Sequence, residues 1–169
     1  IILASHGEFA NGILQSGSMI FGEQKDVKAV TLQPSEGPDD LRAKMEEAIS
    51  TFENQDEVLF LVDLWSGTPF NQANLLLNGH EDHWAIVQLN LPMLIEAYAM
   101  RMSTDSAHEI ATHICEVARD GVNIRPEELE PKKEETVKDE QPAPAGAIPE
   151  GTVLGDGHIK YVLARVDTR

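Results

Sequence analysis

Short apolar runs alternate with longer amphipathic stretches through residues 1–124 of the chain. The runs have the length and composition of β-strands, and the longer stretches repeat apolar residues every three to four positions, as one face of a helix does. This β-α alternation is typical of an α/β domain built on a parallel sheet. We predict strands at residues 1–5, 27–32, 58–62 and 84–89, and helices at 9–21, 38–52, 69–77, 92–101 and 107–119.

The run at residues 58–62, Val-Leu-Phe-Leu-Val, is apolar at every position. A strand of this composition is covered by helices on both faces, as in the centre of a doubly wound sheet. We therefore predict four parallel strands in the order 2-1-3-4. The short apolar segment 122–124 is a candidate for an additional edge strand.

The composition changes after residue 124. Prolines recur, charges of both signs crowd residues 127–140, and small residues fill 142–147. Such a composition is typical of a linker, which we place at 125–157. Apolar residues return at 159–164, so residues 158–169 are interpreted as the start of a second domain that is cut short.

Charge and cysteine content narrow the classes of partner. The formal net charge is -16, which disfavours binding to nucleic acid or to anionic lipid and favours a basic protein partner. The longest uncharged apolar stretch falls well short of the roughly 20 residues of a membrane span. Cys115 is the only cysteine, which excludes an internal disulfide framework and fits a reducing cytoplasm.

Two chemically capable side chains follow the first and third predicted strands, namely His6 and Asp63. In the predicted order, the carboxyl ends of these strands flank the switch point where α/β sheets bind ligands. A histidine at a strand-to-helix turn lies near helix-start amides that favour a phosphoryl group, and Gly7 allows close approach. A carboxylate that accepts a proton from one ring nitrogen leaves the other nitrogen free for nucleophilic attack. We predict His6 as nucleophile and Asp63 as the residue that orients it.

The loop after Asp63 adds candidate phosphoryl-binding groups in Ser66, Gly67 and Thr68, and Trp65 as a candidate contact for a docking protein. Structural roles stay open for each: Asp63 and Thr68 are also suitable helix caps, and a single tryptophan often serves packing.

Three other motifs give only weak indications of a functional site. His108 and His113 resemble a zinc-protease motif but are separated by one residue too many to share a helix face, so we predict no metal there. His80 and His83 are expected in a solvated turn. The segment around Ser66 is not a hydrolase nucleophile elbow, because the glycine two residues before the serine is absent.

Three separated motifs resemble the IIA domain of mannose-family sugar phosphotransferase systems. They are Ala-Ser-His-Gly at residues 4–7 with Gly-Glu-Gln at 22–24, the segment 59–71 that contains Val-Asp-Leu-Trp-Ser-Gly-Thr-Pro-Phe-Asn, and Asn-Leu-Pro-Met-Leu at 90–94. The similarity covers residues 1–124. The last seven residues resemble the opening of a IIB domain. Ser66 occupies a position where the family usually has glycine. The segment 87–90 also lacks the glycine that usually follows the fourth strand in the family.

The resemblance implies a phosphoryl carrier without a cofactor. His6 would accept a phosphoryl group from phospho-HPr and pass it to a IIB histidine, driving hexose uptake of the mannose or glucose type through membrane IIC and IID subunits. It further implies a cytoplasmic homodimer, associated peripherally with the transporter, in which the edge strand at 122–124 is exchanged and runs antiparallel. Two alternatives are the phosphocarrier subunit of a dihydroxyacetone kinase and a non-catalytic module that binds an anion or a partner.

Overall fold

A computed structural model describes residues 1–126 and two short strands at residues 153–154 and 161–162. The chain divides into two units, Ile1–Glu130 and Pro131–Arg169. In the second unit, β5 (Val153–Leu154) pairs antiparallel with β6 (Tyr161–Val162). The rest of the predicted linker at 125–157 and of the predicted domain start at 158–169 lies outside the described residues, apart from residues 125 and 126.

The first unit alternates strands and helices as the apolar pattern predicts. Its strands are β1 (Ile2–His6), β2 (Lys28–Leu32), β3 (Val58–Val62) and β4 (Trp84–Gln88). Its helices are α1 (Phe9–Phe21), α2 (Pro38–Ser50), α3 (Thr68–Leu77), α4 (Leu91–Met100) and α5 (Ala107–Asp120). The four strands are parallel and lie in the order β2-β1-β3-β4, so the predicted fold class and strand order are confirmed.

Both faces of the sheet are covered, which explains the fully apolar sequence of β3. Leu59 and Leu61 point into a core formed with α1, α4 and α5, whereas Val58, Phe60 and Val62 point into a second core formed with α2 and α3. Every residue of β3 is buried. Because successive side chains of a strand alternate between faces, each position needs an apolar residue.

The segment 122–124 forms no strand within the chain. Val122 is 83% exposed and Ile124 is 40% exposed. An exchanged strand would pair with a second copy, so the predicted antiparallel edge strand remains a prediction. None of the helices in the described residues is both long enough and apolar enough to cross a membrane.

Candidate functional site

His6 is the last residue of β1, at the carboxyl edge of the sheet. Gly7 follows in a left-handed conformation with φ of 53°, which glycine adopts without steric cost. The Gly7 amide donates to the Leu32 carbonyl at 2.9 Å and so ties the turn to the end of β2. His6 is therefore held at the edge with 46% of its side chain exposed.

The hydroxyl of Ser5 stabilises the turn beneath His6. It accepts a hydrogen bond from the Ala10 amide at 2.8 Å and donates to the Gly7 carbonyl at 3.3 Å. Ser5 is fully buried, so its bond with the Ala10 amide lies away from competing water. Ser5 was not predicted as a site residue; the available signal was a single hydroxyl at the end of an otherwise apolar strand.

Asp63 follows β3 directly and contacts His6 through one carboxylate oxygen. Its Oδ2 accepts the His6 backbone amide at 2.9 Å and lies 2.9 Å from His6 Nδ1. The side chain of Asp63 is only 17% exposed. The structure thus brings together the two residues that the switch-point argument selected. The side chain of Asp63 makes its hydrogen bonds with His6. The helix-cap alternative required a bond from this side chain to the start of α3 instead.

This contact determines which ring nitrogen of His6 is free. An ionised carboxylate can only accept a hydrogen bond, so in the neutral ring Nδ1 carries the proton and Nε2 keeps its lone pair. The other oxygen of Asp63, Oδ1, is buried and has no partner among the described residues. The orientation of the carboxylate is therefore set by its two contacts with His6.

Gly67 lies directly against the His6 ring. A Cβ at this position would lie 3.1 Å from His6 Cε1 and 3.2 Å from the Leu64 carbonyl oxygen. The Gly67 amide donates to that same carbonyl at 3.1 Å. Ser66 adopts a left-handed conformation with φ of 64°, and its carbonyl accepts from Asn71 Nδ2 at 3.3 Å. These hydrogen bonds hold the loop 64–71 closely packed beside the His6 ring.

Two helices begin at the same edge of the sheet. Helix α3 starts at Thr68 with Gly67 in the N-cap position and no side-chain cap, so the Thr68 hydroxyl does not serve as the cap. Helix α1 starts at Phe9, three residues after His6. The unpaired amides and the dipole of a helix N-terminus favour a bound anion. The edge next to His6 is therefore suited to a phosphoryl group.

Exposed apolar side chains follow the carboxyl ends of β1 and β3. Trp65 is 51% exposed and its ring packs on Phe70 with 4.3 Å between centroids. It therefore both packs and presents a surface to solvent. Leu64 and Phe9 are also about half exposed, at 55% and 49%.

Glu8 forms an acidic group at the β2 side of this surface that our sequence analysis missed. Its carboxylate accepts hydrogen bonds from Asn11 Nδ2 and Gln33 Nε2, each at 2.7 Å. These two bonds lower the pKa of Glu8, so the carboxylate is ionised at neutral pH. Gln33 follows β2, and its contact depends on two strand ends lying side by side.

The other described histidines are engaged away from this site. His108 Nε2 lies 3.0 Å from the Trp84 carbonyl, and His113 Nε2 lies 2.7 Å from Glu96 Oε1. His83 contacts Glu57, and His80 stacks on the Trp84 ring at 4.0 Å between centroids. Within residues 1–126 we find no group of three or more candidate ligands that could hold a metal ion.

Comparison with known proteins places this chain in a family. The family model described as "PTS system fructose IIA component" matches residues 1–115. The mannose-specific EIIAB component of Escherichia coli K12 is 31% identical over 175 residues, covering 100% of this chain and 52% of that protein. The fructose-specific EIIA component of Bacillus subtilis 168 is 35% identical over 101 residues, covering 60% of this chain and 69% of that protein.

The structural similarity agrees with the sequence similarity. The crystal structure of the phosphotransferase system component EIIA from Streptococcus agalactiae superposes with a TM-score of 0.67 and 29% identity, covering 73% of this chain and 94% of that one. The chain spans about half the length of the Escherichia coli relative. It belongs to the mannose-type EIIA family of the sugar phosphotransferase system.

Proposed function

We propose that His6 accepts a phosphoryl group from phospho-HPr on Nε2 and passes it to a histidine of a IIB domain. The observation that carries the proposal is the 2.9 Å contact between His6 Nδ1 and Asp63 Oδ2. It leaves Nε2 as the nucleophilic nitrogen of a ring that is 46% exposed. In this proposal the transfer drives uptake and phosphorylation of a hexose of the mannose or glucose type through membrane IIC and IID subunits.

In the proposed step, the lone pair of Nε2 attacks phosphorus and a new N–P bond forms. The N–P bond of the donor histidine breaks, and the donor nitrogen keeps the electron pair. The proton on Nδ1 stays in place, and the positive charge that develops on the ring is stabilised by the Asp63 carboxylate. Attack by the IIB histidine on the same phosphorus returns His6 to its neutral form.

We assign the phosphoryl oxygens to the groups that surround His6. The Gly7 and Gly67 amides already donate to carbonyls, so these glycines contribute mainly by allowing close approach. The Ser66 and Thr68 hydroxyls and the backbone amides of Phe9 and Thr68, the first residues of α1 and α3, are the proposed donors. The Ala10 amide already donates to Ser5, and Pro69 has no amide hydrogen. Trp65 is the proposed docking contact.

The remaining assignments concern the whole protein. We propose a cytoplasmic protein that associates peripherally with its transporter. In this proposal residues 1–124 form the carrier domain, residues 125–157 the linker and residues 158–169 the start of the acceptor domain. The proposed linker keeps the acceptor near His6 and so raises its effective concentration.

We also propose a homodimer formed by exchange of residues 122–124. Strand β4 is an edge strand, and a groove of about 490 Å³ beside it is lined by its residues together with Trp65, Met93, Cys115 and Val122. The exposed Val122 and Ile124 are suited to pairing with the β4 edge of a second copy. Sedimentation equilibrium is expected to give twice the mass of the chain, and a monomer mass would contradict the proposal.

The function is tested by incubating the full chain with phosphoenolpyruvate, enzyme I and HPr. We expect one acid-labile phosphoryl group per chain, located on His6 by mass spectrometry and transferred onward to purified IIB domain. Transfer to a dihydroxyacetone kinase subunit but not to IIB would favour the alternative carrier. A stoichiometric anion or protein ligand without any phosphoryl transfer would favour the binding module.

Replacing Gly67 by alanine is expected to slow the transfer roughly tenfold, because the added Cβ displaces the His6 ring by a few tenths of an ångström. The ring must move because this Cβ would lie too close both to the ring and to the Leu64 carbonyl oxygen. Rapid-quench phosphorylation measures the rate. Gly37→Ala is the matched control, since Gly37 is likewise an N-cap glycine, that of α2, and a Cβ there meets only Asp40 Oδ2 at an ordinary 3.7 Å. Equal rates for the two variants would contradict the assignment.

A further inference from the structure

The sheet has a second outer strand, β2, at the side opposite to β4. In a parallel sheet, alternate residues of an outer strand direct their N–H and C=O groups to the neighbouring strand, and the residues between them direct theirs outward. The Lys28 amide and the Leu32 carbonyl bond on the β1 side, so the groups of Ala29 and Thr31 point outward. We call this outer side the β2 edge. Within the described residues no strand pairs with it, and such an edge can accept a strand from another chain.

The side chain of Lys44, from helix α2, lies on the β2 edge. Its Nζ donates to the outward carbonyl of Thr31 at 3.1 Å and to both carboxylate oxygens of Glu36, at 2.6 Å for Oε2. Oε2 of Glu36 also accepts the Gln33 amide at 2.9 Å. The bonds from Lys44 and Gln33 lower the pKa of Glu36, so its carboxylate is ionised at neutral pH. The ammonium group is therefore held against the strand.

This arrangement occupies the place that an added strand needs. Neighbouring strands lie about 4.8 Å apart, and the N–H groups of an added strand bond to the outward carbonyls. The Lys44 ammonium already fills that position at Thr31. An added strand would have to displace it and separate it from Glu36, which costs hydrogen bonds and leaves both charges poorly compensated. Lys28, exposed on the same strand, adds a second positive charge, and lysines on edge strands oppose strand addition.

The edge of β4 is built differently. The Leu89 amide bonds to the β3 side, so the backbone groups of Ile86 and Gln88 point outward. Both residues line the groove of about 490 Å³ beside β4, where Arg119 is the only charged lining residue. The groove of about 380 Å³ beside β2 is lined by two lysines and a glutamate. The sheet thus has one edge without a lysine and one edge covered by a lysine.

We propose that Lys44, held by Glu36, closes the β2 edge to strand addition by a second copy of this chain and so confines pairing between copies to β4. The inference concerns assembly and does not rest on phosphoryl transfer. If both edges could pair, each copy would contact one neighbour at β2 and another at β4, and the assembly would grow without closing. Closure of the β2 edge limits that growth.

The test measures the mass of the full chain by sedimentation over a range of concentrations. Lys44→Met removes the ammonium group but keeps an unbranched side chain on α2. We expect its weight-average mass to rise with concentration to at least about twice that of the unsubstituted chain. Lys25→Met is the matched control, because Lys25 is also exposed and also pairs with a carboxylate, that of Glu53, but precedes β2. It should keep the mass of the unsubstituted chain.

A second change locates the new contact. Ala29→Pro removes an outward N–H from the β2 edge without removing a bond to β1, which is where an edge strand tolerates proline. Combined with Lys44→Met it should restore the mass of the unsubstituted chain, with circular dichroism confirming the fold of each variant. An unchanged mass for Lys44→Met at every concentration would overturn the proposal, and so would heavier species that persist in the double variant. A monomeric unsubstituted chain would contradict only the exchange at β4, because closure of the β2 edge is measured by the change in mass.

Discussion

Phosphoryl transfer from phospho-HPr is expected to fall below detection when His6 is replaced by alanine. The residue supplies the attacking nitrogen itself, and without Nε2 no N–P bond can form at this position. A loss of this size is the usual consequence of removing a covalent nucleophile. Labelling with phosphoenolpyruvate, enzyme I and HPr, followed by acid treatment, measures it.

The fold of this variant should be retained, because the His6 side chain is 46% exposed and truncation at such a site leaves no enclosed cavity. Circular dichroism and the unfolding temperature check this. His83→Ala is the matched control: His83 is also exposed and also contacts a carboxylate, that of Glu57, but it lies before β4. Label that persists in His6→Ala, or that disappears in His83→Ala, would contradict the assignment.

Asp63→Asn is expected to slow phosphoryl transfer by roughly 10²-fold or more, as amide replacement of a histidine-orienting aspartate does elsewhere. Oδ2 of Asp63 accepts two hydrogen bonds from His6. An asparagine that keeps both bonds places its NH₂ group in the buried position of Oδ1, where the described residues offer no partner. If the amide rotates instead, its NH₂ donates to Nδ1, the ring proton moves to Nε2, and the nucleophilic lone pair is lost.

Either outcome also removes the negative charge that faces the developing cation. Single-turnover rates at saturating phospho-HPr separate this effect from weaker binding of the donor. Asp82→Asn, in an exposed turn, is the matched control and should be without effect. A rate for Asp63→Asn within about twofold of the unsubstituted chain would show that Asp63 serves only to connect the ends of β1 and β3.

The sequence pattern predicted the strand order and the pairing of His6 with Asp63, because both follow from the alternation of strands and helices and from the topology of a doubly wound sheet. A fully apolar β3 requires cover on both faces, and chain order in a doubly wound sheet then brings the ends of β1 and β3 together. No side-chain geometry is needed for that step. The position of a residue after a strand was sufficient to place it at the edge.

The contacts around the site could not be predicted in the same way. Gly67 touches the His6 ring across 61 residues of chain, and Gln33 reaches Glu8 across 25. Such contacts depend on loop conformation and rotamers that no periodicity encodes. Capping preferences suggested Thr68 as an N-cap, but α3 starts one residue earlier with Gly67 in that position, where backbone conformation and not a side chain begins the helix.

Helix α1 illustrates a related limit. Apolar periodicity marked Phe9 and Ile20 as helical positions, but the pattern does not separate residues that face the core from residues that face a partner. Only the packing of α1 on the sheet shows that Ile13 is buried and Ile20 is exposed. The exposed apolar positions of α1 could therefore be identified only from the three-dimensional structure.

The central claim is that Asp63 holds the proton on Nδ1 and so directs phosphorylation to Nε2 of His6. Nitrogen and phosphorus NMR of the ¹⁵N-labelled chain, phosphorylated by phospho-HPr, tests it directly. We expect the phosphorus to couple to Nε2 of His6 while Nδ1 keeps its proton. Phosphorus coupled to Nδ1, or to any histidine other than His6, would contradict it.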